Sequence, residues 1–318
     1  MSILAAIDVG SNTIRLLIGE VKENNIKDII YERRITRLAE GIGISGKLRS
    51  ENMENSLLVM REFYSIIKEK GVVTTRAIAT SALRDAKNAD IFKEKVLSDT
   101  GIQIEVISGK KEAELTLKGI LFSFSNLSIL SMVSHLSLIF DIGGGSTEWI
   151  VCKDMHPLGM GSIPVGVIKL CERFIKSDPV LQHEISEMEK EILSHLKKVE
   201  EKIRDYMVSD TTFIGTAGTF TTIASIDLRL EKYDKKKVHL HRIPLSRLYD
   251  MKRILFFLTL EERKKVVGLE AGREDLIIPG LQFTINIMDF FGFNELIVSE
   301  YGLLEGVLLE ISQEGIGK

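Results

Sequence analysis

The chain has 318 residues, enough for two domains at roughly 150 residues each. Hydrophobic residues make up 44% and charged residues 27%, which excludes collagen-like, low-complexity and disordered classes. A formal charge of -3 argues against a nucleic-acid polymer as partner.

In chain order, AAIDVGSNTIRLLIGEV reads as strand, tight glycine turn, strand, and residues 26–37 as a third strand. Residues 51–70 carry a helical apolar stripe through Met53, Leu57, Met60, Phe63 and Ile67. A strand at 76–80, a helix at 88–98, a strand at 102–107 and a helix at 110–122 follow. Segment 123–135 is poorly patterned and reads as a connection between halves or an insertion. LIFDIGGGSTEWIVC then repeats the opening unit, with Asp141 about 133 positions after Asp8. Next come a strand at 155–163, a helix at 165–175 and a long charged helix at 180–207. Ile185, Met188, Ile192, Leu196 and Val199 share one face of that long helix. TFIGTAGTFTTIASI reads as strand, turn and helix. Residues 229–242 are basic, with six Lys or Arg against two acids. A helix at 272–291, a strand at 294–299 and a helix at 302–311 close the chain. The alternation predicts α/β layering in two related halves.

Cys152 and Cys171 are too few for a CxxC site and suit a reducing compartment. The start of the chain lacks a signal-peptide pattern, and the most apolar run, Leu127 to Phe140, is short of the about 20 residues that span a membrane. A cytoplasmic protein without a membrane partner is expected. The long helix 180–207 packs either within the molecule or in a homodimer.

Turns of glycine with serine or threonine let successive N–H groups point into one concavity that accepts phosphate oxygens. There are three such turns: Asp8–Thr13 (DVGSNT), Asp141–Thr147 (DIGGGST) and Gly215–Thr219 (GTAGT). Asp8 and Asp141 suit a hard cation that bridges phosphates. GxxxxGK[ST] and GxGxxG spacings are absent, so neither a P-loop nor a dinucleotide fingerprint is present. Glu148 follows the second turn, and Glu112 opens a helix, where an acid is also favoured by the helix dipole alone. Arg15, Arg84 and Arg273 lie near the turns in sequence and are candidate phosphate clamps.

Taken together, AAIDVGSNTIRLL, ATSALRDAKNADIF, VISGKKEAEL, FDIGGGSTEWI, SIPVGVIKL, GTAGTFTTIASI, YDKKKVH, GREDLIIPG and VSEYGLLEGVL resemble the exopolyphosphatase/guanosine pentaphosphate phosphohydrolase (Ppx/GppA) family almost end to end. The resemblance implies two actin-like domains of the sugar kinase/heat-shock ATPase superfamily, ribonuclease H-like, with a cleft between them. It implies boundaries near 1–124 and 125–299, with a final helix at about 300–318 returning to the first domain. It implies hydrolysis of terminal phosphate from inorganic polyphosphate, guanosine pentaphosphate (pppGpp) or both, with Mg2+ or another divalent cation. Glu112 and Glu148 fall on the family's glutamate positions and are expected to be catalytic. Gly10, Ser11, Asn12, Thr13, Arg15, Arg84, Gly143, Gly144, Gly145, Ser146, Thr147, Gly215, Gly218, Thr219 and Arg273 are expected at the substrate. Asp8, Asp141 and Glu148 are expected at the metal.

The chain departs from the family pattern in four places. Lys111 replaces the first glutamate of the EEA pair and Glu114 the arginine after it, Leu304 replaces the arginine of GLREG, and Ala217 replaces a glycine of GTGGT. These departures raise a second reading, a catalytically weak regulatory protein that binds guanosine tetra- or pentaphosphate. A kinase of the same superfamily is a third, opposed by the two glutamates. The basic stretch 229–242 is either a positive rim for a polyanion or an exposed loop.

Overall fold

In a computed structural model, residues 2–22, 25–125, 136–154, 156–208 and 210–316 are described. The unpatterned segment 123–135 falls largely outside them. The first part of the chain runs β1 (Ser2–Val9), β2 (Thr13–Lys22), β3 (Asn25–Ile35), α1 (Ile42–Ser45), α2 (Ser50–Glu69), β4 (Thr74–Ala79), α3 (Ser81–Asp85), α4 (Ala89–Thr100), β5 (Ile104–Val106) and α5 (Gly109–Ser125). The second runs β6 (Leu136–Ile142), β7 (Thr147–Lys153), β8 (His156–Ile163), α6 (Val167–Phe174), α7 (Gln182–Ile203), β9 (Thr212–Thr216) and α8 (Ala217–Asp227). It continues through α9 (Lys235–Val238), β10 (Arg242–Pro244), α10 (Leu245–Leu255), α11 (Leu260–Arg263), α12 (Ile277–Phe291) and β11 (Glu295–Val298). Helix α13 (Leu303–Ile316) closes the chain.

The chain forms two compact units, one holding β1 to α5 together with α13, the other β6 to β11. Each has its own sheet. The first has strand order β3-β2-β1-β4-β5, with β2 antiparallel to its neighbours and the β1-β4-β5 pairs parallel. The second has order β10-β11-β9-β6-β7-β8, in which β8-β7-β6-β9-β11 repeats that topology and β10 adds an antiparallel edge. This is the ribonuclease H-like, actin-type α/β arrangement, present twice.

The repetition extends to irregularities. A bulge interrupts β2–β3 at Ile18/Gly19, and another interrupts β7–β8 at Val151/Cys152. Each inserts one extra residue into the outer strand and moves the register beyond it by one.

In the first unit, β1 is buried on both faces, as its continuous apolar run requires. One face packs α13 through Leu4, Ala6, Leu17, Ile78, Leu115, Leu303, Leu304, Val307 and Leu308. Helices α5 and α13 cross with backbones touching: a Cβ on Gly119 would lie 1.9 Å from the Gly302 carbonyl oxygen, and one on Gly306 1.9 Å from that of Leu115. In the second unit, the predicted stripe of α7 is buried against α12, α6 and β8, so its apolar face is covered inside its own unit.

Helices α10 and α11 occupy a stretch for which the sequence pattern shows no element, α9 lies inside the basic stretch, and β10 starts at its last residue, Arg242. Helix α12 starts at Ile277 rather than at 272. Residues 270–276 form turns tied by Arg273 N–H to the Glu270 carbonyl.

Candidate functional site

The first hairpin closes with Gly10 N–H donating to the Thr13 carbonyl at 3.1 Å, and the second with Gly143 N–H donating to the Ser146 carbonyl at 3.0 Å. The turns are superimposable in pattern because each glycine must bring its backbone close to the far strand. A Cβ on Gly10 would come within 2.8 Å of the Thr13 oxygen, and one on Gly143 within 3.1 Å of the Ser146 oxygen. Carbonyls of both turns are tied from outside. Thr36 and Arg37 N–H donate to Asn12 O, and Ala39 N–H to Ser11 O. Val167 and Ile168 N–H donate to Gly143 O and Gly144 O. Gly166 permits the latter, since a Cβ there would strike Gly144 at 2.5 Å. Carbonyls held this way leave a turn with its N–H groups as the functional surface.

Around the first turn, Asp8, Ser11, Asn12 and Thr13 are all buried. Arg15 Nε and Nη2 both donate to Asp8 Oδ2, at 2.9 and 2.6 Å. Among the described residues, Asp8 Oδ1 and both amide heads of the Asn12 side chain are buried without a hydrogen-bond partner. Buried polar atoms are normally satisfied, so this cluster is built to receive something polar.

Glu112 sits in the first turn of α5, which Ser108 caps by accepting from Lys111 N–H at 3.2 Å. It is only 7% exposed. Arg84, on α3, donates to the Ile107 carbonyl at 2.8 Å and reaches Glu112 Oε2 at 3.4 Å. The same α3 carries Ser81, whose hydroxyl is 3.0 Å from that of Ser11. One short helix therefore ties the first turn to Glu112, 101 positions downstream of Ser11. Dipole stabilisation alone does not require that connection.

In the second unit, Asp141 and Glu148 are directly opposed across the β6–β7 pair. Glu148 is fully buried and accepts from the Ser162 hydroxyl at 2.7 Å. Ser162 was not anticipated from the sequence. Counting outward from the Lys153–His156 pair would place Gly161 opposite Glu148, and only the bulge at Val151/Cys152 substitutes Ser162.

Two hydroxyls expected at the substrate are engaged within the protein. The Thr147 hydroxyl donates to the Val165 carbonyl at 2.7 Å, and the Thr219 hydroxyl to the Ile142 carbonyl at 2.9 Å. Their protons brace the turns. Gly215 is explained by packing: a Cβ would lie 2.3 Å from the Phe220 ring. Gly218 faces Arg273, whose Nη1 and Nη2 would be 2.6 and 2.7 Å from an added Cβ. Glu270 accepts from Arg273 Nε at 2.8 Å, which turns the terminal nitrogens toward Gly218 at the start of α8. Gly145 and Ser146 are buried in the second turn, beside the half-buried Gly144.

Equivalent rows of the two sheets differ in charge. Asp8 is in register with Arg15, whereas Asp141 is in register with Glu148. The first pairing is internally neutral. The second sets two carboxylates side by side in a buried position, where like charges repel. Among the described residues no group of three His, Cys, Asp or Glu forms a ready metal cluster. The donor set at Asp141 and Glu148 still fits a divalent cation that keeps several waters. Asp8 fits less well, because Arg15 already neutralises it.

Two of the four departures from the family pattern, Lys111 and Leu304, are accommodated by contacts with α13 or its core. Lys111 Nζ meets Glu310 Oε1 on α13 at 2.5 Å, and Arg76 joins the same Glu310 at 3.0 Å. Leu304 is 2% exposed in the core under α13. Glu114 is exposed on α5. Ala217 adopts φ 70°, a left-handed conformation that glycine takes more easily. The basic stretch is more ordered than a loop. Asp234 caps α9, Val238 is fully buried, Tyr233 bonds Glu300, His241 contacts Asp227 and Arg242 pairs with Glu295. Lys236 and Lys237 remain exposed. Burial, reinforced by the charge of Lys235, pushes the His239 imidazole down to about 4.

Fold and site together define a protein with duplicated ribonuclease H-like sheets, each presenting a phosphate-type hairpin turn, and a buried glutamate wired to the first. The model of the Ppx/GppA phosphatase family matches residues 17–314, and the chain belongs to that family, whose members are hydrolases. It is 29% identical to exopolyphosphatase 2 of Mycobacterium tuberculosis, over 97% of this chain and 98% of that protein. It is 32% identical to a bifunctional 3-dehydroquinate synthase/phosphatase of Fusobacterium nucleatum, over 96% of this chain but only 46% of that protein, so it spans about half of that relative's length. A solved structure of an exopolyphosphatase from Cytophaga hutchinsonii matches with a TM-score of 0.86 at 28% identity, covering 98% of this chain and 97% of the other. Among the described residues no helix is long and apolar enough to cross a membrane.

Proposed function

We propose that the chain is an exopolyphosphatase, releasing terminal orthophosphate from inorganic polyphosphate by in-line attack of water. The connection from Ser11 through Ser81 and Arg84 to Glu112 carries this reading, because it places a buried carboxylate in one hydrogen-bonded frame with a phosphate-type turn. Ser11, Thr13 and the side-chain amide of Asn12, with N–H groups of the turn, donate to phosphate oxygens. Arg15 and Arg84 neutralise their charge. Glu112 orients the water and takes its proton late, since phosphoryl transfer depends more on positioning than on basicity. In the second unit, Gly143, Gly144, Gly145 and Ser146 offer N–H donors, and Gly218 with Arg273 offers a further clamp. Asp141 and Glu148 would hold Mg2+, with Asp8 a weaker candidate. Such a cation would neutralise charge on a phosphate held at the second turn.

The names of the relatives favour polyphosphate as substrate, and pppGpp presents the same anhydride chemistry. The regulatory reading remains the alternative; Lys111 pairs with Glu310 of α13 and Leu304 packs in the core beneath that helix. The test is phosphate release by purified protein with Mg2+ from long-chain polyphosphate, short polyphosphate and pppGpp in parallel. Release from polyphosphate is expected. Absence of release from all three, with guanosine tetraphosphate still bound, would overturn the proposal in favour of a sensor.

A further inference from the structure

The basic stretch of the second unit arrives at the edge of the sheet that carries the phosphate-type turns. Strands β6, β9 and β11 are parallel, so Ile142, Thr216 and Val298 all end on one edge. The turns at 143–146 and 215–219 lie on that edge. Helix α9 reaches it from the other side. Leu240 N–H donates to the Val298 carbonyl at 2.7 Å, and Glu300 N–H to His239 Nδ1 at 3.4 Å. Lys235–Val238 therefore sits just beyond the carboxyl end of β11. At about 4.8 Å per strand, the step from β6 across β9 to β11 is about 10 Å. Ligands of open α/β sheets gather outside the carboxyl ends of the strands.

The sequence concentrates positive charge at that place. Residues 229–242 hold six Lys or Arg against two acids, and Lys232, Lys236 and Lys237 are exposed. The acids around them are engaged elsewhere. Asp234 accepts from the Lys236 and Lys237 backbone N–H groups, and Glu300 from the Tyr233 hydroxyl. Asp227 binds His241 and Arg247, and Glu295 binds Arg242. The lysines are also held in place: Asp234 caps α9, Val238 is fully buried, and Tyr233 ties the approach to the helix. Crowding like charges adds self-repulsion to a folded chain, but the field it creates concentrates a ligand of opposite charge.

We infer that α9, with Lys232, Lys236 and Lys237, is a docking surface for the distal part of a linear polyanion whose nearer phosphates lie at the turns of this unit. The inference rests on the proposed function and deepens it. The ligand is an inorganic polyphosphate long enough to touch the turns and α9 at once. Recognition is by charge rather than by shape, because lysine is a compact, hydrated point charge on a flexible stem. Long chains are then held more tightly than short ones, and the difference shrinks as salt screens the exposed lysines.

The experiment replaces Lys236 and Lys237 together, by glutamate in one variant and by arginine in another. Steady-state hydrolysis of tripolyphosphate and of long-chain polyphosphate is measured at low and high salt, with calorimetric titration of long-chain polyphosphate and a thermal melt of each protein. For Lys236→Glu/Lys237→Glu, KM for long-chain polyphosphate is expected to rise roughly tenfold at low salt, the worth of a few exposed charge contacts. The kcat values and the KM for tripolyphosphate, which has no phosphates to spare for α9, are expected to hold. High salt should remove most of the difference between wild type and variant. The arginine variant should stay close to wild type, since it keeps the charge. An unchanged KM for long-chain polyphosphate would overturn the docking surface. So would an equal rise with both substrates, a difference that persists at high salt, or a loss accompanied by a lower melting temperature. If the wild type releases no phosphate from either substrate, the proposed function fails; the calorimetric comparison of wild type with the glutamate variant still decides the docking surface.

Discussion

Replacing Glu112 by glutamine tests the proposed chemistry most directly. The substitution keeps the size of the side chain and removes only its charge and basicity. The structure allows the effect on folding to be bounded. Glu112 is nearly buried, but its ion-pair partner Arg84 is 27% exposed and stands at a long 3.4 Å. The glutamine carbonyl can still accept from that guanidinium, and a pair open to solvent on one side contributes about 0 to 1 kcal/mol. At roughly 2–4 °C per kcal/mol for a unit of this size, the melting temperature should move by no more than a few degrees. Turnover should respond differently. Losing a group that orients and deprotonates water costs about 10²-fold or more in kcat. The assay is phosphate release from polyphosphate at saturating Mg2+, paired with a thermal melt of the same preparation. Wild-type turnover in Glu112→Gln would refute the assignment. A melting temperature lowered by more than about 10 °C would show that Glu112 is mainly structural.

Three further perturbations separate bracing from chemistry. Ser162→Ala removes a hydroxyl donor from the fully buried Glu148 carboxylate and is expected to cost about 2 kcal/mol in a Mg2+-free urea titration; Ser162→Thr should restore most of it, and no loss with alanine would exclude the bond as a contributor. Gly306→Ala adds a methyl that would sit 1.9 Å from the Leu115 carbonyl oxygen, so α5 and α13 must separate, at an expected cost of at least about 3 kcal/mol by thermal or urea unfolding; a near-neutral effect would contradict the close helix crossing. His239 has its folded value depressed to about 4, first by burial and then by Lys235, so the unfolded chain binds the extra proton between about pH 6.5 and 4. Its contribution is therefore complete above pH 6.5 and is lost as pH falls toward 4, by up to about 3 kcal/mol. Urea midpoints of wild type and His239→Gln measured from pH 7 to 4.5 should converge or cross toward acid; parallel curves would contradict a buried neutral imidazole.

The sequence determined what depends on neighbours along the chain. Apolar runs ending in Asp8 and Asp141, each followed by glycine and a hydroxyl residue, specify strand, turn and strand, because only those residues let the chain reverse so tightly. The helical stripes of α2 and α7 were readable because a period of 3.6 must bury one face. Helix α10 was harder to see because its buried positions, Leu248, Met251 and Leu255, are few and set among charges. The glutamates were recognisable by family pattern, but residue spacing did not show how Glu112 is held. Arg84, Ser81 and Ser11 meet it only when β1, β4 and β5 align side by side. Lys111 looked like a lost active-site acid until its partner, Glu310, was placed by the return of α13 onto the first sheet. The two bulges mark the limit most clearly. A strand repeats every two residues, so one inserted residue changes which side chain faces which. Shifts at Ile18/Gly19 and Val151/Cys152 put Arg33 rather than Glu32 against Arg15, and Ser162 rather than Gly161 against Glu148. Only the packed sheet decides such a register, because the energy that selects it comes from contacts distant in sequence.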